Sequence, residues 1–142
     1  MKAALAATVA AMSVAASCAG HGVRAGPLEI KDAFAFAPIT LESTGAYLTI
    51  VNHGAIADTL AGARCSCAQS VTIHQMGPGG MVMRQSLPVP AGESARFAPG
   101  GMHLMLMSLD HLARPGERIA LTLRFAHAGE VLVQVPVRPY AQ

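Results

Sequence analysis

Beyond residue 27 the apolar residues of this chain recur at every second position in short runs, and no window carries a sustained 3.6-residue stripe. A helix cannot bury such a pattern on one face. A strand can, because its successive side chains point to opposite sides of a sheet. Leu28-Glu29-Ile30-Lys31 and Phe34-Ala35-Phe36-Ala37 read this way, the second run ending at Pro38. Ala46–Val51 is a strong run, stopped by the turn residues Asn52-His53-Gly54. Further strands are expected at 71–76, 81–86, 93–97, 102–109, 118–126 and 130–137, the last two joined across His127-Ala128-Gly129. Residues 60–70 read as irregular, and 77–80 and 88–92 as loops. Roughly seven to nine short strands at this spacing predict an all-β fold, an antiparallel sandwich or barrel.

A length of 142 residues suits one domain with a single core. Ahead of it, Lys2 and the apolar run 3–16 (AALAATVAAMSVAA) form a secretory signal. The run falls short of the roughly 20 apolar residues a membrane span needs. Ala15-Ala16-Ser17-Cys18 resembles a lipoprotein box, in which Cys18 becomes the lipidated N-terminus; ordinary cleavage near Ala19 is the alternative. The expected layout is a signal peptide at 1–18, a linker at 19–26 and a β-domain at 27–140. Export places the domain in an oxidising compartment, with membrane contact only through a lipid on Cys18. A net charge of +2, with 13% charged residues, gives no case for a nucleic-acid binder, which clusters Lys and Arg. Four Phe, two Tyr and no Trp offer no base-stacking platform either.

Function is concentrated in residues 74–107, which hold six of the eight methionines and two of the six histidines, and no aspartate. Thioethers and imidazoles gathered with a single carboxylate, Glu93, suit a soft ion such as Cu(I). If Gly77–Gly80 form a four-residue hairpin loop, Met76 pairs with Met81 and His74 with Met83, all on one face. A slip of one residue would separate them. On the later strand His103, Met105 and Met107 share one face, while Met102, Leu104 and Leu106 share the other. Leu104 and Leu106 are natural core, so His103 and Met105 point outward; Met102 and Met107 read as packing, Met being a common gap-filler.

His74-x8-Met83-x19-His103-x-Met105 resembles the His-Met-His-Met signature of the PCuAC family of periplasmic copper chaperones. Gly45-Ala46-Tyr47-Leu48-Thr49-Ile50-Val51-Asn52-His53-Gly54, Asp58-Thr59-Leu60-Ala61-Gly62-Ala63 and Ala98-Pro99-Gly100-Gly101-Met102-His103-Leu104-Met105-Leu106-Met107 are also similar to stretches of that family, so the resemblance covers 28–137. It implies a cupredoxin-like β-sandwich or barrel and a periplasmic, non-enzymatic carrier. His74, Met83, His103 and Met105 would hold Cu(I), with Met76 and Met81 as accessory ligands. Delivery to the CuA site of an oxidase subunit, or exchange with a thiol-containing copper chaperone, is further implied. In that family both intervals are commonly two residues longer, and Phe34 stands where a Trp is common.

Cys65 and Cys67 depart from the family pattern. A bond between residues two apart closes a very small ring and fits ordinary disulfide geometry poorly. Three readings stay open: free thiols, accessory soft ligands for Cu(I), or redox partners for another protein. An electron-transfer cupredoxin would need a Cys in a His2Cys set with an axial Met, a spacing neither Cys65 nor Cys67 has. A thiol oxidoreductase would carry Cys-x-x-Cys at a helix N-terminus. His53, His111 and His127 read as solvated turn residues, and His21 lies near the processed end.

Overall fold

The computed structural model describes residues 22–140, so the expected signal segment, Cys18 and His21 lie outside the described residues. Eleven strands make up the fold: β1 (Val23–Ala25), β2 (Leu28–Phe36), β3 (Ser43–Asn52), β4 (Asp58–Cys65), β5 (Ala68–Gly77), β6 (Gly80–Arg84), β7 (Leu87–Val89), β8 (Ser94–Arg96), β9 (His103–Leu109), β10 (Arg118–Phe125) and β11 (Gly129–Arg138). Seven of them close a barrel in the order β2-β11-β10-β4-β5-β9-β3, with β3 returning to β2. Only β2 and β11 run parallel. The remaining four are appended to the ring: β1 on β2, β6 on β5, β7 on β4 and β8 on β3. Closure leaves the barrel without an edge to protect.

The alternation seen in the sequence is what fills the interior. Val131, Val133, Val135 and Val137 of β11 point inward with Leu121 and Leu123 of β10, Ile50 and Leu48 of β3, and Leu104 and Leu106 of β9, all buried. Each such side chain contributes roughly 1.5–3 kcal/mol on leaving water. Two strands change phase to keep this true. Asp32 takes φ 56° at the bulge between Lys31 and Phe34, so Leu28 and Ile30 face inward before it and Ala35 after it. The flip turns Phe34 and Phe36 outward, where they stack with Tyr47 and Tyr140. Ser108, at φ 54°, does the same between Leu106 and Leu109.

Three segments differ from the pattern read in the sequence. Val23–Ala25, inside the expected linker, pairs with β2. Asp58–Cys65 is a strand although Ala61-Gly62-Ala63 carries little apolar signal, because full pairing with β10 supplies what propensity does not. Leu87–Val89 is a strand despite Pro88, which sits at an edge where the missing N–H costs no ladder bond.

Asp58 ties the start of β4 to the β10–β11 turn. Its carboxylate accepts the backbone N–H groups of Thr59 (2.7 Å), His127 (2.9 Å) and Ala128 (2.9 Å) while only 6% exposed. Burial opposes its ionisation, but the backbone donors outweigh burial and hold the pKa below the usual carboxylate value. Removing the acceptor in Asp58→Ala leaves buried donors unsatisfied and should cost about 1–3 kcal/mol. Because the folded pKa is depressed, this stabilisation is complete above the unfolded value of about 3.9 and is lost as pH falls through the folded value. Urea unfolding of wild type and Asp58→Asn at pH 7 and near pH 3 checks this: the gap between them should shrink on acidification.

Candidate metal centre

The hairpin of β5 and β6 turns at Pro78-Gly79, with Gly77 and Gly80 paired, so the ladder runs one step further than a four-residue loop allows. The register below the turn is the expected one. His74 pairs with Met83, and Met76 with Met81. On the other edge of β5, His74 pairs with His103 and Thr72 with Met105. Met83, His74 and His103 therefore form a row across three adjacent strands. Directly opposite positions bring Cβ atoms to about 4.5–5.5 Å. The two imidazole centroids lie 5.5 Å apart. Met105 and Met81 occupy diagonal positions on the same outer face.

What fixes that face is the core beneath it. Ile73 and Leu104, next to the two histidines and paired with each other, are buried inside the barrel. Their neighbours His74, His103 and Met105 must then point outward. His103 is nonetheless 8% exposed, whereas Met81, Met83 and Met76 on the hairpin stand in solvent. The centre thus has a sheltered imidazole side and an open thioether side.

Hydrogen bonding constrains which imidazole nitrogens carry the proton. Nδ1 of His103 lies 3.1 Å from the Gly101 carbonyl. A carbonyl only accepts, so Nδ1 donates and Nε2 keeps its lone pair. Nδ1 of His74 lies 2.6 Å from Met81 Sδ, and Nε2 lies 2.8 Å from Thr72 Oγ1. A thioether sulfur also only accepts, so His74 carries its proton on Nδ1 and the Thr72 hydroxyl donates to Nε2. Burial, then repulsion from His103, pushes the His74 pKa below that of a solvated histidine, favouring the neutral, metal-binding imidazole.

The other sulfur candidates lie elsewhere. Cys65 and Cys67 are joined in a disulfide across the β4–β5 turn, with Cα atoms 5.1 Å apart. That separation is within the ordinary range, because the chain reverses at Ser66-Cys67. Seven residues of strand at about 3.3 Å each separate Cys67 from His74, so this pair is not an accessory ligand of the centre. Met107, read as packing, is 38% exposed because the phase of β9 puts it on the outer face; Met102 does pack against the core. His53 pairs with Glu29, and His111 with Asp110 and Glu117, away from the centre. Among the described residues no three His, Cys, Asp or Glu side chains converge. The donor set here is two imidazoles with thioethers, which suits a soft monovalent ion rather than zinc or calcium.

Thr72 was not apparent as part of this centre from sequence, since a Thr in a strand is unremarked until its cross-strand partner is known. In the metal-free protein, nitrogen-15 shifts of His74 should report the Nδ1–H form. Thr72→Val removes the hydroxyl and should raise the Nε2–H share; an unchanged tautomer would contradict the assignment.

The family model described as "Putative lipoprotein LpqE-like" matches residues 28–137. "Putative lipoprotein Lxx21020" of Leifsonia xyli subsp. xyli (strain CTCB07) is 33% identical over 103 residues, covering 69% of this chain and 62% of that protein. The aligned part is therefore less than two thirds of that relative's length. Among solved structures, the copper-bound PCuAC domain from PmoF2 superposes with a TM-score of 0.77 at 25% identity, covering 84% of this chain and 99% of that one. The solution structure of CuI-DR1885 from Deinococcus radiodurans gives 0.66 at 28% identity, covering 78% and 77%. The cupredoxin-like β-barrel and the resemblance to PCuAC domains, both expected from sequence, are borne out.

Proposed function

The chain belongs to the LpqE-like lipoprotein family, and from that premise we propose that it is an exported carrier of Cu(I), held by His74, Met83, His103 and Met105. The observation that carries this reading is the row Met83–His74–His103 on three neighbouring strands, with Met105 one step away on the same face. Its donors are the soft and borderline ligands Cu(I) prefers. Two structural neighbours, the copper-bound PCuAC domain from PmoF2 and CuI-DR1885, support the same cargo.

The site suits carriage rather than catalysis. Thioethers are neutral, modest ligands, and those of β6 stand in solvent, so an acceptor thiolate or imidazole can replace them one at a time. Met81, already against His74, is a spare thioether for that exchange. The rigid side of the centre is His103, seated in the barrel wall. Cargo would pass to the CuA site of an oxidase subunit, or to a thiol-containing copper chaperone. Residues 1–18 would direct export to the periplasm, with Cys18 the lipid anchor and 27–140 the working domain. An electron-transfer cupredoxin is disfavoured, because both domain cysteines are bonded to each other.

Titration with Cu(I) against a competing chelator tests the reading. One tight equivalent is expected. Losing His103 and Met105 together to Ala should weaken it by more than the roughly 10–100-fold lost with a second-shell partner. Cys65→Ser with Cys67→Ser should leave it unchanged. Binding that survives the first change and disappears with the second would overturn the assignment.

A further inference from the structure

Met83 belongs to two features of the surface. On the side away from His103, β5 parts from β4 and the outer face opens into a groove of about 440 Å³. The opening has a structural cause. β4 pairs with β5 only at Ala63–Val71, because β6 takes up the edge of β5 from Ile73 onward and β7 takes up the start of β4. The groove is lined by Arg64, Arg84 and Arg124 with Thr72, Thr122 and Met83, and by no carboxylate. Gly62 makes room for one of these: a Cβ there would stand 3.1 Å from the Arg124 guanidinium.

Most of this charge is unanswered. Arg64 forms a two-pronged pair with Glu130 at the rim, and the field of Arg124 also reaches that carboxylate. Arg124 itself donates to the Ala61 carbonyl (3.2 Å) and Arg84 to the Gln75 amide oxygen (2.8 Å), both uncharged acceptors. Among the described residues neither makes an ion pair. Three guanidiniums thus face one carboxylate, in a chain whose whole net charge is +2. Guanidiniums held by neutral acceptors keep free N–H donors for a carboxylate.

We infer that this groove is the docking surface for an acidic segment of the protein that exchanges copper with the site, an inference that rests on the carrier reading above. The sign of the groove selects carboxylates. Its position selects a partner that also takes the metal, because Thr72 and Met83 lie in both the groove and the centre. A segment seated between Arg84 and Arg124 brings its own copper ligands against Met83, which is 60% exposed. Steering by such a patch raises the encounter rate and weakens with salt.

The test uses the exported, metal-free protein and a defined probe, N-acetyl hexaglutamate, followed by NMR of arginine Nε–H and methionine methyl signals. The expected result is movement of the Arg84, Arg124 and Met83 signals, suppressed by salt and absent with hexalysine. Arg84→Glu with Arg124→Glu should weaken peptide binding about tenfold or more. The same variant should keep its Cu(I) affinity, measured against neocuproine because that chelator carries no charge to interact with the groove. Unmoved signals, equal binding by the charge-reversed variant, or movement with phosphatidylglycerol vesicles but not with the peptide would each overturn the inference. The peptide titration needs no copper. Failure of the unaltered protein to bind Cu(I) would therefore sink the carrier reading on separate evidence, leaving the peptide result to decide the groove.

Discussion

Everything at the metal centre depends on the pairing of Ile73 with Leu104 inside the barrel. Side chains alternate along a strand, so seating these two in the core forces His74, His103 and Met105 onto the outer face, and the ladder sets His74 beside His103. A slip of one residue would bury the imidazoles and expose the leucine. The core thus pins the geometry of a surface site with no contribution from the metal. On its other edge β5 pairs with β6 from Ile73 onward, so His74 has a strand on either side.

Much of this was legible in the chain, and the reasons are local. The hairpin register followed from Gly77-Pro78-Gly79-Gly80 and the parity of the flanking residues, and it held although the turn is tighter than read. The outward face of His103 and Met105 followed from Leu104 and Leu106. The direct pairing of His74 with His103 was not legible, since β5 and β9 are distant in sequence and nothing local encodes their register. The same holds for β4, whose Ala- and Gly-rich middle becomes a strand only because β10 lies beside it. Met107 was read as packing although it shares its parity with His103 and Met105; the alternation that turns those two outward exposes it as well. The Cys65–Cys67 bond was left open from chain separation alone, and the reversal between β4 and β5 is what brings the two together.

Around this scaffold the two sides of the centre differ in a way that suits transfer. His103 is sheltered and hydrogen-bonded to its own loop, while the thioethers of β6 ride on an exposed hairpin joined to the barrel through one edge of β5. On the proposed carrier reading, a partner approaching from the hairpin side meets the exposed thioethers first. Thr72 links the two regions: its hydroxyl lies 2.8 Å from His74 Nε2, and it lines the arginine-rich groove. The disulfide sits at the opposite end of β5, where it joins the end of β4 to the turn that follows.

The most direct measurement of the central claim is copper K-edge X-ray absorption on the protein carrying one equivalent of Cu(I). A mixed shell of imidazole nitrogen and thioether sulfur, unchanged when both domain cysteines are replaced by serine, is the result this account predicts. A shell of sulfur alone, or one with no sulfur, would contradict it.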